Sequence, residues 1–403
     1  MEILICASSL GGEVLAPPSK SMGHRLLIAA GLCDGVSVIR GISDSEDMHA
    51  TMDVLRALGA RCDKVGDVVT VRGVDPRLVT GAEASCRECG STLRFLIPIC
   101  LLSEETVVLS GSERLFARPL GVYEDLCREQ GLGFERRRDS VALRGVLRGG
   151  EIAIRGDVSS QFISGLLFSL PLCAEDSVLS LIPPVESRSY IDMTLDALAV
   201  FGIRAYWRDE LTLIIPGGQS YHATDAVVEG DYSNAAFFLA LSTLGMDVNV
   251  TGLPEVTRQG DRICVEYFRA LDEGTPTLSI ADCPDLGPSL MAVAAAKNGC
   301  VLTETGRLAI KESDRGEAMA RELAKFGVRV DRTDSTITVH GGMLRAPMEV
   351  LFGHNDHRIV MALATLCTLV GGTIEGAEAV RTSLPDYFQI LKSIGSEIKQ
   401  HDA

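Results

Sequence analysis

A repeat constrains this chain more than any other feature. The segments MDVLRALGARCDKVGDVVTVRG from Met52, YEDLCREQGLGFERRRDSVALRG from Tyr123 and TLDALAVFGIRAYWRDELTLIIPGG from Thr194 follow one pattern. Each is an amphipathic stretch, a glycine, and two short apolar runs around a polar turn. The starts at 52, 123 and 194 are 71 and 71 residues apart, and a further step of 71 reaches Val265 in VEYFRALDEG. AMARELAKFGVRVDRTDSTITVHGG from Ala318 is another full copy, and YFQILKSIGSEI from Tyr387 is a shorter one. Apolar residues at helical spacing predict a helix in each, and Gly59, Gly131, Gly202, Gly327 and Gly395 stand where a left-handed residue ends it. Single segments of this kind occur in many α/β proteins; an even spacing over three copies sets these apart. Six copies of one α/β unit, three in each of two domains, fit the chain.

Length agrees, since 403 residues exceed one ordinary core and make two domains of about 200 each the expectation. TDAVVEGDY at 224–232 links the third and fourth copies, and Pro17 and Pro18 disfavour regular structure at the other end. The expected division is an upper domain over 16–225 and a lower domain made of 1–15 and 226–403, with a two-stranded hinge near 14–18 and 224–230.

Composition narrows the partners. The 38 basic residues are outnumbered by 54 acidic ones, and the net charge of −16 argues against a nucleic-acid partner. An anionic small molecule is compatible only if the cations are concentrated in one place. Twelve cysteines are scattered through apolar and turn positions, and the Cys86–Cys89 pair has neither a second C-x-x-C nor a histidine close in sequence. Buried reduced thiols are therefore expected, not a zinc site. The N-terminus shows no basic segment followed by a long apolar one, and no run of about 18 apolar residues occurs anywhere. A cytoplasmic chain that neither carries a signal peptide nor crosses a membrane is the expectation.

The concentration of cations is found at helix starts. Five polar turns open apolar helices: PSKSMGHRLLIAAGL at 18–32, CGSTLRFLIPICLL at 89–102, DVSSQFISGLLFSL at 157–170, KESDRGEAMARELAKFG at 311–327 and HNDHRIVMALATLC at 354–367. Four carry an arginine in or near the first turn: Arg25, Arg94, Arg315 and Arg358. The first backbone N–H groups of a helix lack partners and attract anions, hydroxyls there cap or donate, and arginine adds a fork suited to phosphate or carboxylate. One such start is an ordinary cap; five on a repeated unit predict a site for small polyanions. Arg315 heads the apolar stripe of Met319, Leu323 and Phe326, so its side chain is expected to point inward. Carboxylates beside these cations are candidates for proton transfer. Glu312 lies inside the Lys311–Arg315 turn, while Asp285, Asp356 and Asp231 read equally well as helix caps.

Taken in order, the motifs PSKSMGHR, GSTLRFL, VSSQF, ESRSYIDMTL, VEGDYSNAAFFL, IKESDR, NDHR and SLPDYF resemble those of the 3-phosphoshikimate 1-carboxyvinyltransferases, the EPSP synthase family of enolpyruvyl transferases. The resemblance runs from Lys20 to Phe388. It implies an α/β fold of two inside-out α/β barrel domains, each three copies of a βαβαββ unit. It further implies transfer of the enolpyruvyl group of phosphoenolpyruvate to the 5-hydroxyl of shikimate 3-phosphate, in the pathway to chorismate and the aromatic amino acids. No metal or organic cofactor is implied, and a monomer is expected.

The resemblance also implies roles, position by position. Lys20, Ser21 and Arg25 look like the grip on shikimate 3-phosphate, joined by Ser159, Ser160, Gln161, Ser187 and Tyr190. Lys20, Gly90, Arg114, Gln161, Arg315 and Arg358 match positions that hold phosphoenolpyruvate. Asp285 and Lys311 match residues at the shikimate hydroxyls, with Asp285 as proton acceptor, and Glu312 resembles the residue that transfers a proton at the methylene carbon. The catalytic set implied is Asp285, Glu312 and Lys20.

Departures are visible too. Where the family commonly has a lysine three residues before Pro385, this chain has Thr382 beside Arg381, and Arg381 is expected to take over that contact by a small shift. Retention of Gly90 implies sensitivity to glyphosate, which competes for the phosphoenolpyruvate pocket. The related transferases acting on UDP-N-acetylglucosamine use Lys-Asn in place of the Lys-Ser of SKS and place a catalytic cysteine where this chain reads GSERLFARPL. A catalytically dead anion-binding homologue is the other alternative, disfavoured by the presence of Lys20, Asp285, Glu312 and Arg315.

Overall fold

The computed structural model describes residues 1–401. The chain forms two compact units, Lys20–Glu229 and the pair of segments Met1–Ser19 and Gly230–Ala403. These bounds move the expected division by four residues at each crossing, and pairing explains the shift. Ala226–Val227 is a parallel strand beside Val36–Arg40, so it belongs with the 20–229 unit. Residues 16–19 go the other way: Ala16 donates to the Thr251 carbonyl at 2.8 Å and Pro18 bridges to Gly230.

The 20–229 unit contains three four-stranded sheets built alike. In the second, Ala82–Ser85 pairs in parallel with Val107–Ser110, which pairs antiparallel with Ser140–Arg144, followed by Gly133–Arg136. The helix Gly90–Cys100 joins the first two strands and Gly121–Gln130 precedes the closing hairpin. The third sheet repeats this order with Gly150–Arg155, Ser177–Ile182, Thr212–Ile215 and Tyr206–Asp209. The first does so only because Ala226–Val227, from the far end of the unit, supplies its outer strand.

Among the described residues the split unit has two such sheets. One is Thr277–Ser279, Cys300–Thr303, Thr336–Val339 and Val330–Arg332; in the other the N-terminal strand Glu2–Ile5 fills the third place. Six copies were expected, and the fourth along the chain is incomplete. Gly11–Leu15 and Asp247–Thr251 form a two-stranded parallel pair, and the helix Cys264–Glu273, where the 71-residue step landed, is followed directly by a strand of the next sheet. The segment between, 274–276, is too short for a hairpin.

Two kinds of helix result. Gly90–Cys100, Ser160–Ser169, Gly287–Ala296 and His357–Val370 are apolar almost all round and buried nearly throughout. Glu46–Ala57, Gly121–Gln130 and Arg315–Lys325 bury one face only. All five repeat glycines have positive φ, from 69° at Gly131 to 103° at Gly59 and Gly395, as a left-handed helix stop requires. All twelve cysteines are free thiols, and every one except Cys6 is buried. Among the described residues no helix is long and apolar enough to cross a membrane.

Candidate active site

In the split unit, three segments distant in sequence meet at Arg315. Its Nε donates to Oδ2 of Asp356 at 2.8 Å, its Nη1 to Oδ1 of Asp285 at 2.7 Å and its Nη2 to Oε2 of Glu312 at 2.6 Å. The inward direction read from the apolar stripe is correct, for Arg315 is 1% exposed. Lys311 Nζ lies 3.1 Å from Oδ1 of Asp285, and Nη2 of Arg358 lies 3.3 Å from its Oδ2. Local structure sets these positions. Asp314 caps the helix Arg315–Lys325 by accepting from the Glu317 N–H, and Asp356 caps His357–Val370 by accepting from the Arg358 N–H. Asp231 likewise caps Tyr232–Thr243. Asp285 does not cap anything: it sits in the one-turn helix Pro284–Leu286, and both its oxygens face cations.

The cluster holds three cations and three carboxylates (3 − 3 = 0), which decides its electrostatics. Burial alone would raise the pKa of Asp285, but Arg358, Lys311 and Arg315 outweigh it and hold the group well below the usual carboxylate range. Burial lowers Lys311 to about 8, against the pull of Asp285. Burial also disfavours the Arg315 charge, yet Asp356, Glu312 and Asp285 keep it firmly protonated. Arg358 is not saturated by the partners it has among the described residues. Beyond Asp285 it reaches the Ser233 carbonyl at 3.3 Å, and its buried Nε has no hydrogen-bond partner.

The 20–229 unit carries the remaining candidates. Lys20 opens the helix Lys20–Gly31 and pairs with Oδ2 of Asp47 at 2.9 Å. Arg25 is buried at 2% exposure and donates to the Ser21 carbonyl at 2.7 Å, the Tyr190 carbonyl at 2.8 Å and Oγ1 of Thr194 at 2.8 Å. Its guanidinium also lies 5.0 Å from the ring centre of Phe95. Arg25 therefore ties two helix starts together through Ser21 and Tyr190, while burial lowers its pKa to about 10. Ser159 caps the helix that begins with Ser160 and Gln161, and Ser187 precedes Tyr190 in a left-handed conformation (φ 55°). Gln161 is locked from both sides, accepting from Arg94 at 2.8 Å and donating to Ser91 at 2.9 Å.

Two expected residues are displaced. Arg114 is exposed and lines a surface groove with Glu113, Phe116 and Arg136–Arg138. The arginine that stands against Gly90 is Arg118, whose Nη1 would lie 2.7 Å from a Cβ placed there. The physical reason is that the short helix Glu113–Ala117 ends before Arg118, whose extended backbone turns its side chain another way. Arg381 is exposed too, its charge acting on Glu378, and is not among the groups around Asp285. Thr382 instead places its hydroxyl 3.1 Å from Nδ1 of His357, the neighbour of Arg358.

Glu322 escaped the sequence reading altogether. It is 1% exposed and accepts from Nε2 of His354, Nζ of Lys325 and the Phe352 N–H, each within 2.9 Å. It thus holds the segment leading to Asp356 and Arg358, where His354 and Asn355 both adopt positive φ. A glutamate on the apolar side of an amphipathic helix was the available signal.

Comparison with known proteins places these repeated α/β units, with their buried arginine–carboxylate cluster, in the class of enolpyruvyl transferases. In overall fold the chain is similar to the EPSP synthase of Acinetobacter baumannii (TM-score 0.81, 21% identity, 99% of this chain and all of that one). It is also similar to the enolpyruvyl transferase NikO of Streptomyces tendae (TM-score 0.76, 16% identity, 99% and 98%). The profile of the EPSP synthase (3-phosphoshikimate 1-carboxyvinyltransferase) family matches residues 6–274 and 269–391. The 3-phosphoshikimate 1-carboxyvinyltransferase of Clostridium kluyveri is 37% identical over 99% of this chain and 98% of its own length, and that of Clostridium perfringens 37% identical over 99% of each. The chain belongs to the EPSP synthase family.

Proposed function

We propose that the Asp285 cluster of the split unit and, separately, the Lys20, Gly90 and Gln161 group of the 20–229 unit are binding groups for the anionic substrates of the family's reaction. As a member of that family the chain transfers the enolpyruvyl group of phosphoenolpyruvate to shikimate 3-phosphate with release of phosphate, in aromatic amino acid biosynthesis. The observation that carries the assignment of residues is Asp285 itself, a carboxylate kept ionised by Lys311, Arg315 and Arg358.

Asp285 accepts the 5-hydroxyl proton as that oxygen attacks C2, and Glu312 delivers a proton to C3; loss of phosphate and of a C3 proton then restores the enol ether. A carboxylate so firmly ionised is a weak base. An incoming phosphate or carboxylate competes for Arg358, Arg315 and Lys311, and as each cation turns to the ligand the basicity of Asp285 rises. The charge of these cations is already matched by carboxylates, so substrate binding exchanges one anion for another. Arg358 and Arg315, which share Asp285 in the split unit, and Arg118, beside Gly90 in the 20–229 unit, are each assigned to phosphoenolpyruvate. Lys20, Ser21, Ser159, Ser160, Gln161, Ser187 and Tyr190 are assigned to shikimate 3-phosphate, with Arg25 positioning Ser21 and Tyr190. Each unit is read as an inside-out α/β barrel of the family type, in a cytoplasmic monomer.

The test is phosphate release from phosphoenolpyruvate with shikimate 3-phosphate or UDP-N-acetylglucosamine as acceptor. Turnover with the first alone is expected; turnover with neither, despite calorimetric binding, would identify a catalytically dead homologue.

A further inference from the structure

His24, Asp47 and Cys89 come from three separate places in the 20–229 unit, yet one ligand atom of each lies within 4.8 Å of the other two. His24 and Cys89 are 1% and 2% exposed, and Nε2 of His24 stands 3.8 Å from Sγ of Cys89. A tetrahedral zinc ion with bonds of about 2.3 Å to sulfur and about 2.0 Å to nitrogen requires those atoms roughly 3.5 Å apart. The pair therefore needs only a small adjustment. The other ring nitrogen, Nδ1, is fixed at 2.7 Å by Oγ1 of Thr51, which is itself 2.7 Å from Oγ1 of Thr92. Such a partner on the far nitrogen orients a ligating imidazole. Thiol, imidazole and carboxylate are a donor set for borderline-soft divalent metals, with a fourth position left open.

We propose that His24, Asp47 and Cys89 form an inhibitory site for a soft divalent cation such as Zn2+, whose binding takes Asp47 away from Lys20. As the metal–sulfur bond forms, the thiol proton passes to solvent, and no oxidation is involved. The thiolate and the Asp47 carboxylate then offset the two charges of the metal. Lys20, now paired with Asp47 at 2.9 Å, loses its counter-ion to a neighbouring cation and is displaced. The inhibitory consequence rests on the assignment of Lys20 to substrate binding; the metal binding does not. Sequence spacing concealed the site, because His24 and Cys89 are 65 residues apart and Cys86, the other half of the C-x-x-C, takes no part.

Cobalt(II) is the probe. The reduced protein titrated with Co2+ should develop a thiolate-to-cobalt charge-transfer band at one equivalent, and Zn2+ should inhibit turnover reversibly on addition of EDTA. Both effects should vanish in Cys89→Ser, whose hydroxyl can still cap the Thr92 N–H, and Asp47→Asn should weaken metal affinity about tenfold or more. Circular dichroism checks that both variants are folded. Absence of the band, an undiminished band in both variants, or metal binding with unchanged turnover each overturns the proposal. A Lys20→Ala chain that keeps its substrate affinity and its cobalt spectrum would instead refute only the role given to Lys20.

Discussion

A Cβ on Gly90 would lie 2.7 Å from Nη1 of Arg118 and 3.0 Å from its Cζ. Those atoms are the far end of a flexible side chain, so Gly90→Ala should fold normally and displace the guanidinium. A charge-assisted hydrogen bond is worth about 1.5–3 kcal/mol, so KM for phosphoenolpyruvate should rise about 10- to 100-fold. Inhibition by glyphosate should weaken in parallel, while KM for shikimate 3-phosphate stays within about threefold. Equal losses for both substrates in steady-state kinetics would contradict this placement of Arg118.

Arg118 and Arg114 can be told apart directly. Arg118→Ala should raise KM for phosphoenolpyruvate at least as much as Gly90→Ala does, because it removes the cation altogether. Arg114→Ala, on an exposed groove, should leave both KM values within about twofold, as solvent-exposed charges contribute little. The reverse ranking would restore the residue first read from the sequence.

Lys311 supplies a pH signature. Burial lowers its pKa to about 8, so the ammonium that faces Asp285 is lost through the range just above neutrality. The kcat/KM profile should fall above pH 8, approaching a tenfold loss per pH unit. Asp285, held well below the ordinary range, should contribute no acid limb near pH 4. Lys311→Arg should retain some activity and carry the alkaline limb above pH 10, because guanidinium stays charged. An unmoved limb in that variant would assign the titration elsewhere.

The repeat and the inward Arg315 were legible because both depend on local periodicity. A helical stripe ending in glycine predicts its own burial and its own stop, and the positive φ of Gly59, Gly131, Gly202, Gly327 and Gly395 follows. What stayed hidden depends on where a chain turns or returns. Arg118 and Arg114 are four residues apart, and only the end of a five-residue helix decides which one meets Gly90. The outer strand of the first sheet, Ala226–Val227, and the N-terminal strand Glu2–Ile5 join sheets whose other strands are remote in sequence. By residue pattern alone Asp285 read as a cap or a proton acceptor equally well, because Asp-containing turns before helices are often caps; in the structure its meeting with three cations separates it from Asp356 and Asp231.

Arg315 is also structural. Arg315→Ala would leave Asp356, at 0% exposure, without its principal cation and would take one of three cations from Asp285 and one ion-pair partner from Glu312. Removing one partner from a buried ion pair costs about 3–5 kcal/mol, so the urea midpoint should drop markedly. Arg315→Lys should recover only part, since a single ammonium cannot reach three carboxylates as the guanidinium fork does. A midpoint unchanged in the alanine variant would show that the cluster contributes to binding alone.

Buried thiols should make the protein sensitive to alkali. Burial raises Cys62 and Cys173 to about 11 and Cys33, Cys100, Cys127 and Cys300 to about 12. A free thiol in the unfolded chain ionises near 8.5, so above that pH the unfolded state binds fewer protons than the folded one. The stability these groups provide is therefore complete below about pH 8.5 and is lost progressively toward their folded values, at up to about 1.4 kcal/mol per pH unit for each. Lys311 works in the opposite sense between its folded value of about 8 and its usual 10.5, but it is one group against these six. The urea midpoint in the presence of reductant should accordingly fall from pH 8.5 to 10, and thiol-specific reagents should label these cysteines only as the protein unfolds. A midpoint that rises over this interval would mean that the thiols already ionise in the folded chain.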